Sequence, residues 1–238
     1  SLISRLARAA ALAESHWATA RRENDYSLFA PHLEGLLKLV RDKAALLGQA
    51  LNLSPYDALM DEFGPGFHTE DIDGLFKGLA RSLPGMIKSA LAAQGDAPLP
   101  PLSGKFPVGR QRALVVEVMK AIGFPFDRGR LDESEHPFTE GVAGDVRVTT
   151  RYDGTDPFTG LLGAMHETGH AMYDLGMPQA WRDQPVGRDR GMALEESQSL
   201  LLEMMVGRSH AFARYLQPLL LRHFQASGPE WEVENLYR

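Results

Sequence analysis

The chain has 238 residues, is 44% hydrophobic and 24% charged, and carries a net charge of −6. Those values describe an ordinary soluble globular protein, and the acidic balance without a basic stripe argues against a nucleic-acid partner. There is no cysteine, which excludes disulfides and thiolate metal sites and favours a reducing, cytoplasmic setting. No apolar run is long enough to span a bilayer, so no membrane partner is expected.

Helical periodicity dominates the first half. Residues 2–22 read as an amphipathic helix and not a signal peptide, because Arg5, Arg8 and Glu14 interrupt the alanine run. Ser27 is the expected cap of a second helix, with Pro31 in its first turn. A short helix over 56–63 ends at Gly64-Pro65-Gly66. Thr69, followed by Glu70 and Asp71, starts a helix reaching about 93, with a kink or break expected at Pro84-Gly85. Residues 95–107 read as a Pro/Gly-rich loop, and 110–122 as a helix closed by Gly123.

From 124 to 159 the pattern changes. Gly, Asp and Pro abound, and the β-branched alternating run over 145–152 reads as a strand in a small sheet. A helix over 159–175 follows, stopped by Gly176 and Pro178. Residues 191–224 are again helical, with Gly207 and Pro218 expected to bend or divide them. The expected fold class is mainly α, with a small β-sheet beside the helix over 159–175. We read 1–238 as one mostly helical domain: a helical region over 1–123, a loop and sheet over 124–158, and site-bearing helices over 159–238. The chain starts without Met and closes on no obvious element, so it reads as the central part of a longer protein.

The chemistry lies in Met165-His166-Glu167-Thr168-Gly169-His170. Residues at i and i+4 stand one above the other on a helix. His166 and His170 can therefore aim two imidazoles at one point, with Glu167 beside them. Two nitrogen ligands and a carboxylate that takes a proton from water are the layout of a zinc hydrolase. A catalytic site with an open position commonly takes a third protein ligand, and Glu195 and Glu196 on the next helix both suit by spacing. The plain alternative is a pair of surface histidines and a solvated glutamate pair. His16, His32, His68, His210 and His223 have no ligand spacing. There is no P-loop and no nucleophile elbow.

Several segments resemble the Taq-type thermostable metallocarboxypeptidases. The broad ones are Phe29-Ala30-Pro31-His32-Leu33, Tyr56-Asp57-Ala58-Leu59-Met60 and Gly129-Arg130-Leu131-Asp132. The more specific ones are His136-Pro137-Phe138-Thr139, the 145–152 run, His166-Glu167-Thr168-Gly169-His170 and Glu196-Ser197-Gln198-Ser199. The resemblance implies a helical zinc-peptidase fold and hydrolysis of C-terminal residues from peptides. It implies His166, His170 and Glu196 as metal ligands and Glu167 as general base. His136, Arg147, Tyr152 and Gln198 come out as substrate-side residues, and a homodimer as the usual assembly.

The expected ion is Zn2+, in a ligand set that also accepts Co2+ or Mn2+. Two departures stand out. The family's third-ligand motif begins with histidine where this chain has Glu195. The family also continues beyond the third ligand, with an arginine-bearing segment and a Gln-Asp-x-His-Trp segment that this chain lacks. The other readings are therefore a metal-binding helical fragment without catalysis and a helical zinc oligopeptidase that cuts internally. Helical spacing further points to Asp174, one turn past His170, and Glu203, two turns past Glu196, as groups that orient the histidines.

Overall fold

The structure is a computed structural model, and it describes residues 1–94, 99–102, 104–142, 144–182, 184–189 and 191–237. Of the loop expected over 95–107, residues 95–98 and 103 lie outside this description; the others have no regular structure. Two compact units are distinguished within the chain, Ser1–Ser89 and Ala90–Arg238. The mainly α fold class holds, with one three-stranded sheet.

In the first unit, α1 (Leu2–Glu23) and α2 (Ala30–Leu51) pack together, with small buried side chains at Ala13, Ala20 and Ala44. Ser27 does not cap α2. Asp25 caps the short 3-10 turn Tyr26–Leu28 by accepting from the Ser27 N–H at 2.9 Å and its hydroxyl at 2.6 Å. A short acidic side chain folds the backbone back in this way more readily than serine. The next helix, α3 (Pro55–Met60), is capped by Ser54. α4 (Thr69–Gln94) runs through Pro84 without a break and buries no residue of its own.

The second unit is built on α5 (Val108–Ile122), closed by Gly123 in the left-handed region at φ 102° as its sequence demands. Three strands follow: β1 (Gly129–Glu133), β2 (Thr139–Val142) and β3 (Asp145–Thr150). β3 is central, parallel to β1 and antiparallel to β2, so β2 forms an edge. Thr139 pairs with Val148. Their side chains therefore share the sheet face that Val146 and Val148 bury.

That face packs on α6 (Pro157–Gly176). Asp156 caps α6 by accepting from the Phe158 and Thr159 N–H groups, and Pro157 opens its first turn. The expected helix over 191–224 is divided into α7 (Met192–Leu200), a π-helical turn over Leu201–Val206, and α8 (His210–Phe224). The division near Gly207 is as expected, but Pro218 lies inside α8 without ending it. A mid-helix proline costs about 3 kcal/mol. Burial of Phe212, Leu216, Leu220 and Phe224, at roughly 1.5–3 kcal/mol for each such side chain, outweighs it. The short α9 (Val233–Tyr237) packs on α8.

The core of this unit joins Leu114, Val118 and Met119 of α5, Leu131 and Val148 of the sheet, Leu161 and Met165 of α6, and Leu216 and Leu220 of α8. α6 is thus held by the sheet, by α5 and by α7. Its buried residues include Glu167, Thr168, Gly169 and His170.

Candidate metal centre

The two histidines stand one turn apart on α6 with their Nε2 atoms 3.2 Å from each other. Glu196 enters from α7, its Oε2 lying 3.6 Å from His166 Nε2 and 3.8 Å from His170 Nε2. Of the two glutamates allowed by spacing, Glu196 is the one that reaches the point where the imidazoles converge. Among the described residues this trio forms a group able to hold a metal, its ligand atoms all within 4.8 Å of one another. A tetrahedral ion with bonds of about 2.0–2.2 Å holds its ligands roughly 3.3–3.6 Å apart. The observed spacings match that within a few tenths of an ångström, so the donor set fits a small divalent ion.

Glycine at 169 makes this approach possible. A Cβ there would stand 2.5 Å from Ser199 Cα and 2.6 Å from the Gln198 carbonyl oxygen. No side chain fits in that space, so α7 can lie directly on α6. Ser199, fully buried, donates its hydroxyl to Glu196 Oε2 at 2.9 Å and fixes the carboxylate. The same hydroxyl lies 2.8 Å from the Glu196 carbonyl oxygen.

Glu167 is 6% exposed. Its Oε2 accepts from the Thr139 hydroxyl at 2.7 Å, and its carbonyl oxygen lies 2.9 Å from the same hydroxyl. A hydroxyl has one proton, and the shorter contact to a carboxylate is the stronger. Thr139 therefore anchors the Glu167 side chain from the edge strand. Sequence reasoning named neither Thr139 nor Ser199 as functional, although both lie in segments that carry the family resemblance.

The outward-facing nitrogens each meet a carboxylate. Glu203 Oε2 lies 3.0 Å from His166 Nδ1, and its Oε1 lies 3.4 Å from Arg208. Glu203 sits on the π-helical turn, a deviation that recurs where a helix must re-aim a side chain at a site. At His170, which is 8% exposed, the neighbour of Nδ1 is Glu195 Oε1 at 3.3 Å. That pair is within ion-pair range but lacks hydrogen-bond alignment, leaving the buried Nδ1 unpartnered.

Asp174, expected to orient His170, makes no hydrogen bond to it either. Burial raises the Glu195 carboxyl above its ordinary range, with Asp174, Asp189 and Glu196 adding and His170 opposing. Asp174 shifts the same way, desolvation leading, though its side chain still reaches solvent.

The substrate-side residues are spread out. His136 is exposed, and the adjoining Pro137 packs at Gly163, one turn before His166 on α6. Arg147 alternates away from α6, on the opposite sheet face to Val146 and Val148, and pairs with Asp145 at 2.8 Å. That pairing, led by the hydrogen bond, raises the arginine pKa and lowers that of Asp145. Tyr152 packs against Gly160 with its hydroxyl buried and unpartnered, and burial pushes its pKa up to about 12. Gln198 lies about 200° around α7 from Glu196 and donates to the Ser197 hydroxyl at 3.1 Å. The structure thus brings His166, His170 and Glu196 together, with Glu167 buried on the same helix as the two histidines. It does not bring Arg147, Tyr152 or Gln198 into contact with that group.

The family model described as carboxypeptidase Taq (M32) metallopeptidase matches residues 1–238. The chain belongs to the M32 family. Curated relatives include carboxypeptidase 1 of Bacillus subtilis, 36% identical over 84% of this chain and 40% of the relative. Thermostable carboxypeptidase 1 of Thermus thermophilus is 35% identical over 94% of this chain and 45% of the relative. Among solved structures, Trypanosoma cruzi metallocarboxypeptidase 1 superposes with a TM-score of 0.87 at 37% identity, over 100% of this chain and 48% of that one. The chain therefore spans less than half the length of these M32 relatives. Among the described residues no helix is long and apolar enough to cross a membrane.

Proposed function

We propose that this M32 chain carries the metal centre of a metallocarboxypeptidase that hydrolyses the C-terminal peptide bond of peptides. The observation that carries this reading is the convergence of His166 Nε2, His170 Nε2 and Glu196 Oε2 at the spacing of a tetrahedral ion, with the buried Glu167 alongside. The ligand set suits zinc and also accepts cobalt or manganese. A divalent ion held there supplies a Lewis acid that acidifies water and polarises a carbonyl.

This chain's own groups do the rest. Glu167 accepts the proton of the attacking water and returns it to the leaving amine. Thr139 holds Glu167 in the position for that transfer, and its location on an edge strand leaves a backbone edge on which a peptide can lie. The family resemblance gives His136 a role on the substrate side. Glu203 and Ser199 restrain His166 and Glu196, so that less reordering is needed when the ion enters. The absence of cysteine accords with a cytoplasmic setting, and the family resemblance supports a homodimer.

The coverage of less than half of each relative favours a second reading for the isolated chain: metal binding without turnover. Both readings are tested by loading the chain with zinc, desalting, and measuring metal per chain beside His166→Ala. About one zinc per chain, lost in the variant, supports the centre. Release of C-terminal residues from free but not amidated peptides then supports a carboxypeptidase. Cleavage of amidated peptides points instead to an enzyme that cuts internally, and bound zinc without release supports the second reading.

A further inference from the structure

The two ring nitrogens of His170 face two consecutive glutamates. Nε2 lies 3.8 Å from Glu196 Oε2, and Nδ1 lies 3.3 Å from Glu195 Oε1. Consecutive residues on a helix point about 100° apart, so α7 can present one carboxylate to each side of a single imidazole. The geometry on the neighbouring histidine is the same in kind. His166 turns Nε2 toward Glu196 and Nδ1 toward Glu203, at 3.6 and 3.0 Å.

An imidazole that offers the lone pair of Nε2 to an ion must carry its proton on Nδ1. That N–H then needs an acceptor. At His170 it is buried, and leaving a buried donor unpaired is unfavourable. The atom exposes almost no surface to bulk solvent, and Asp174, one turn away, makes no hydrogen bond to the ring. Glu195 Oε1 is the acceptor in range, short of alignment only. Glu195 and His170 are both held by the close α6–α7 contact at Gly169, so a small side-chain rotation completes the bond without moving either helix.

We propose that Glu195 is a positioning residue for the metal centre: its carboxylate accepts from His170 Nδ1–H, selects the tautomer with a free Nε2, and holds the ring toward the ion. This rests on the reading of His166, His170 and Glu196 as ligands. It gives a purpose to the glutamate that stands where the family pattern has histidine. Glu195 and Glu203 then act as a matched pair, one carboxylate behind each ligand imidazole.

The test is zinc affinity of the whole chain, measured by competition with a chromophoric chelator. It compares the parent with Glu195→Ala, Glu195→Gln, His166→Ala and Glu196→Ala, and melting of each metal-free protein reports on the fold. Glu195→Ala should bind zinc about 10- to 100-fold more weakly, with unchanged metal-free melting. Glu195→Gln, whose amide oxygen still accepts a hydrogen bond, should lose less. In zinc-loaded parent protein, 15N spectra of the imidazoles should show His170 as the single Nδ1–H tautomer, and the alanine variant should lose that uniformity.

Affinity within about twofold of the parent in both Glu195 variants, while His166→Ala and Glu196→Ala lose zinc, overturns the role of Glu195 and leaves the centre standing. Parent-like affinity in His166→Ala and Glu196→Ala overturns the ligand assignment and this proposal together.

Discussion

Gly169 and Ser199 meet so closely that a Cβ on Gly169 would stand 2.5 Å from Ser199 Cα. This contact joins the helix of the two histidines to the helix of Glu196. It also places the Ser199 hydroxyl where it fixes the Glu196 carboxylate. The glycine inside the histidine motif is therefore what lets the third ligand arrive.

Gly169→Ala should push α7 away from α6. The atoms that the added methyl would meet belong to the backbone of Gln198 and Ser199, which cannot rotate aside, so the cost should resemble core overpacking, about 1–3 kcal/mol. Thermal melting should show that loss, and zinc affinity should fall by at least about tenfold as Glu196 is displaced. Parent-like zinc binding in this variant would show that the helices can separate without opening the centre.

Glu167→Gln should keep zinc and lose turnover, because the amide fills the same space but cannot accept the proton. The expected loss is roughly 10²- to 10⁴-fold in kcat, measured on a peptide with a free C-terminus. Thr139→Val should act in the same direction and more weakly, since Glu167 remains but loses its hydroxyl partner. If Glu167→Gln abolishes zinc binding, the residue is part of the ligand set and not the base.

Tyr152→Phe separates a packing role from a substrate role. The hydroxyl is buried without a partner, so its removal should leave stability unchanged or raise it by up to about 1 kcal/mol. The folded-state pKa is raised, to about 12, so the neutral hydroxyl's contribution is full below the unfolded value of roughly 10 and is lost as pH rises toward the folded value. Urea titrations between those limits should show that alkaline loss in the parent and less of it in the phenylalanine variant. A large fall in peptide hydrolysis with unchanged stability would instead give Tyr152 a place in the substrate site.

Asp57 ties the first unit together. It accepts from the Thr69 hydroxyl, from the Thr69 N–H at 2.8 Å and from the Ser54 hydroxyl at 2.7 Å. These bonds, with the Thr69 hydroxyl first, hold its carboxyl below the usual range. A depressed folded-state pKa stabilises above the unfolded value of about 3.9 and ceases to do so as pH falls through the lower folded value. Asp57→Asn should lower the melting temperature of the first unit near neutral pH and flatten its acid limb. An unchanged acid limb would assign that transition to other carboxylates.

The sequence by itself determined what a single element can determine. Helical period puts His166 and His170 on one face with Glu167 beside them. Gly123 ends α5, Gly176 closes α6, and alternation over 145–152 marks a strand, of which 145–150 pair in the sheet. Each follows from neighbours along the chain, where the backbone repeat sets the geometry.

Tertiary structure decided everything that depends on how one element is rotated against another. Glu195 and Glu196 suit a ligand role equally by spacing, and the packing of α7 on α6 at Gly169 turns Glu196 to both Nε2 atoms and Glu195 to Nδ1. The π-helical turn brings Glu203 to His166, and no feature of residues 201–206 announces that turn beforehand. The β2–β3 register puts Thr139 over Glu167, whereas the pleat carries Arg147 to the other face. Pro218 stays inside α8 because four buried apolar side chains outweigh one missing hydrogen bond. Such choices rest on close packing between segments far apart in sequence, where a single methyl or one residue of register changes which group faces the site.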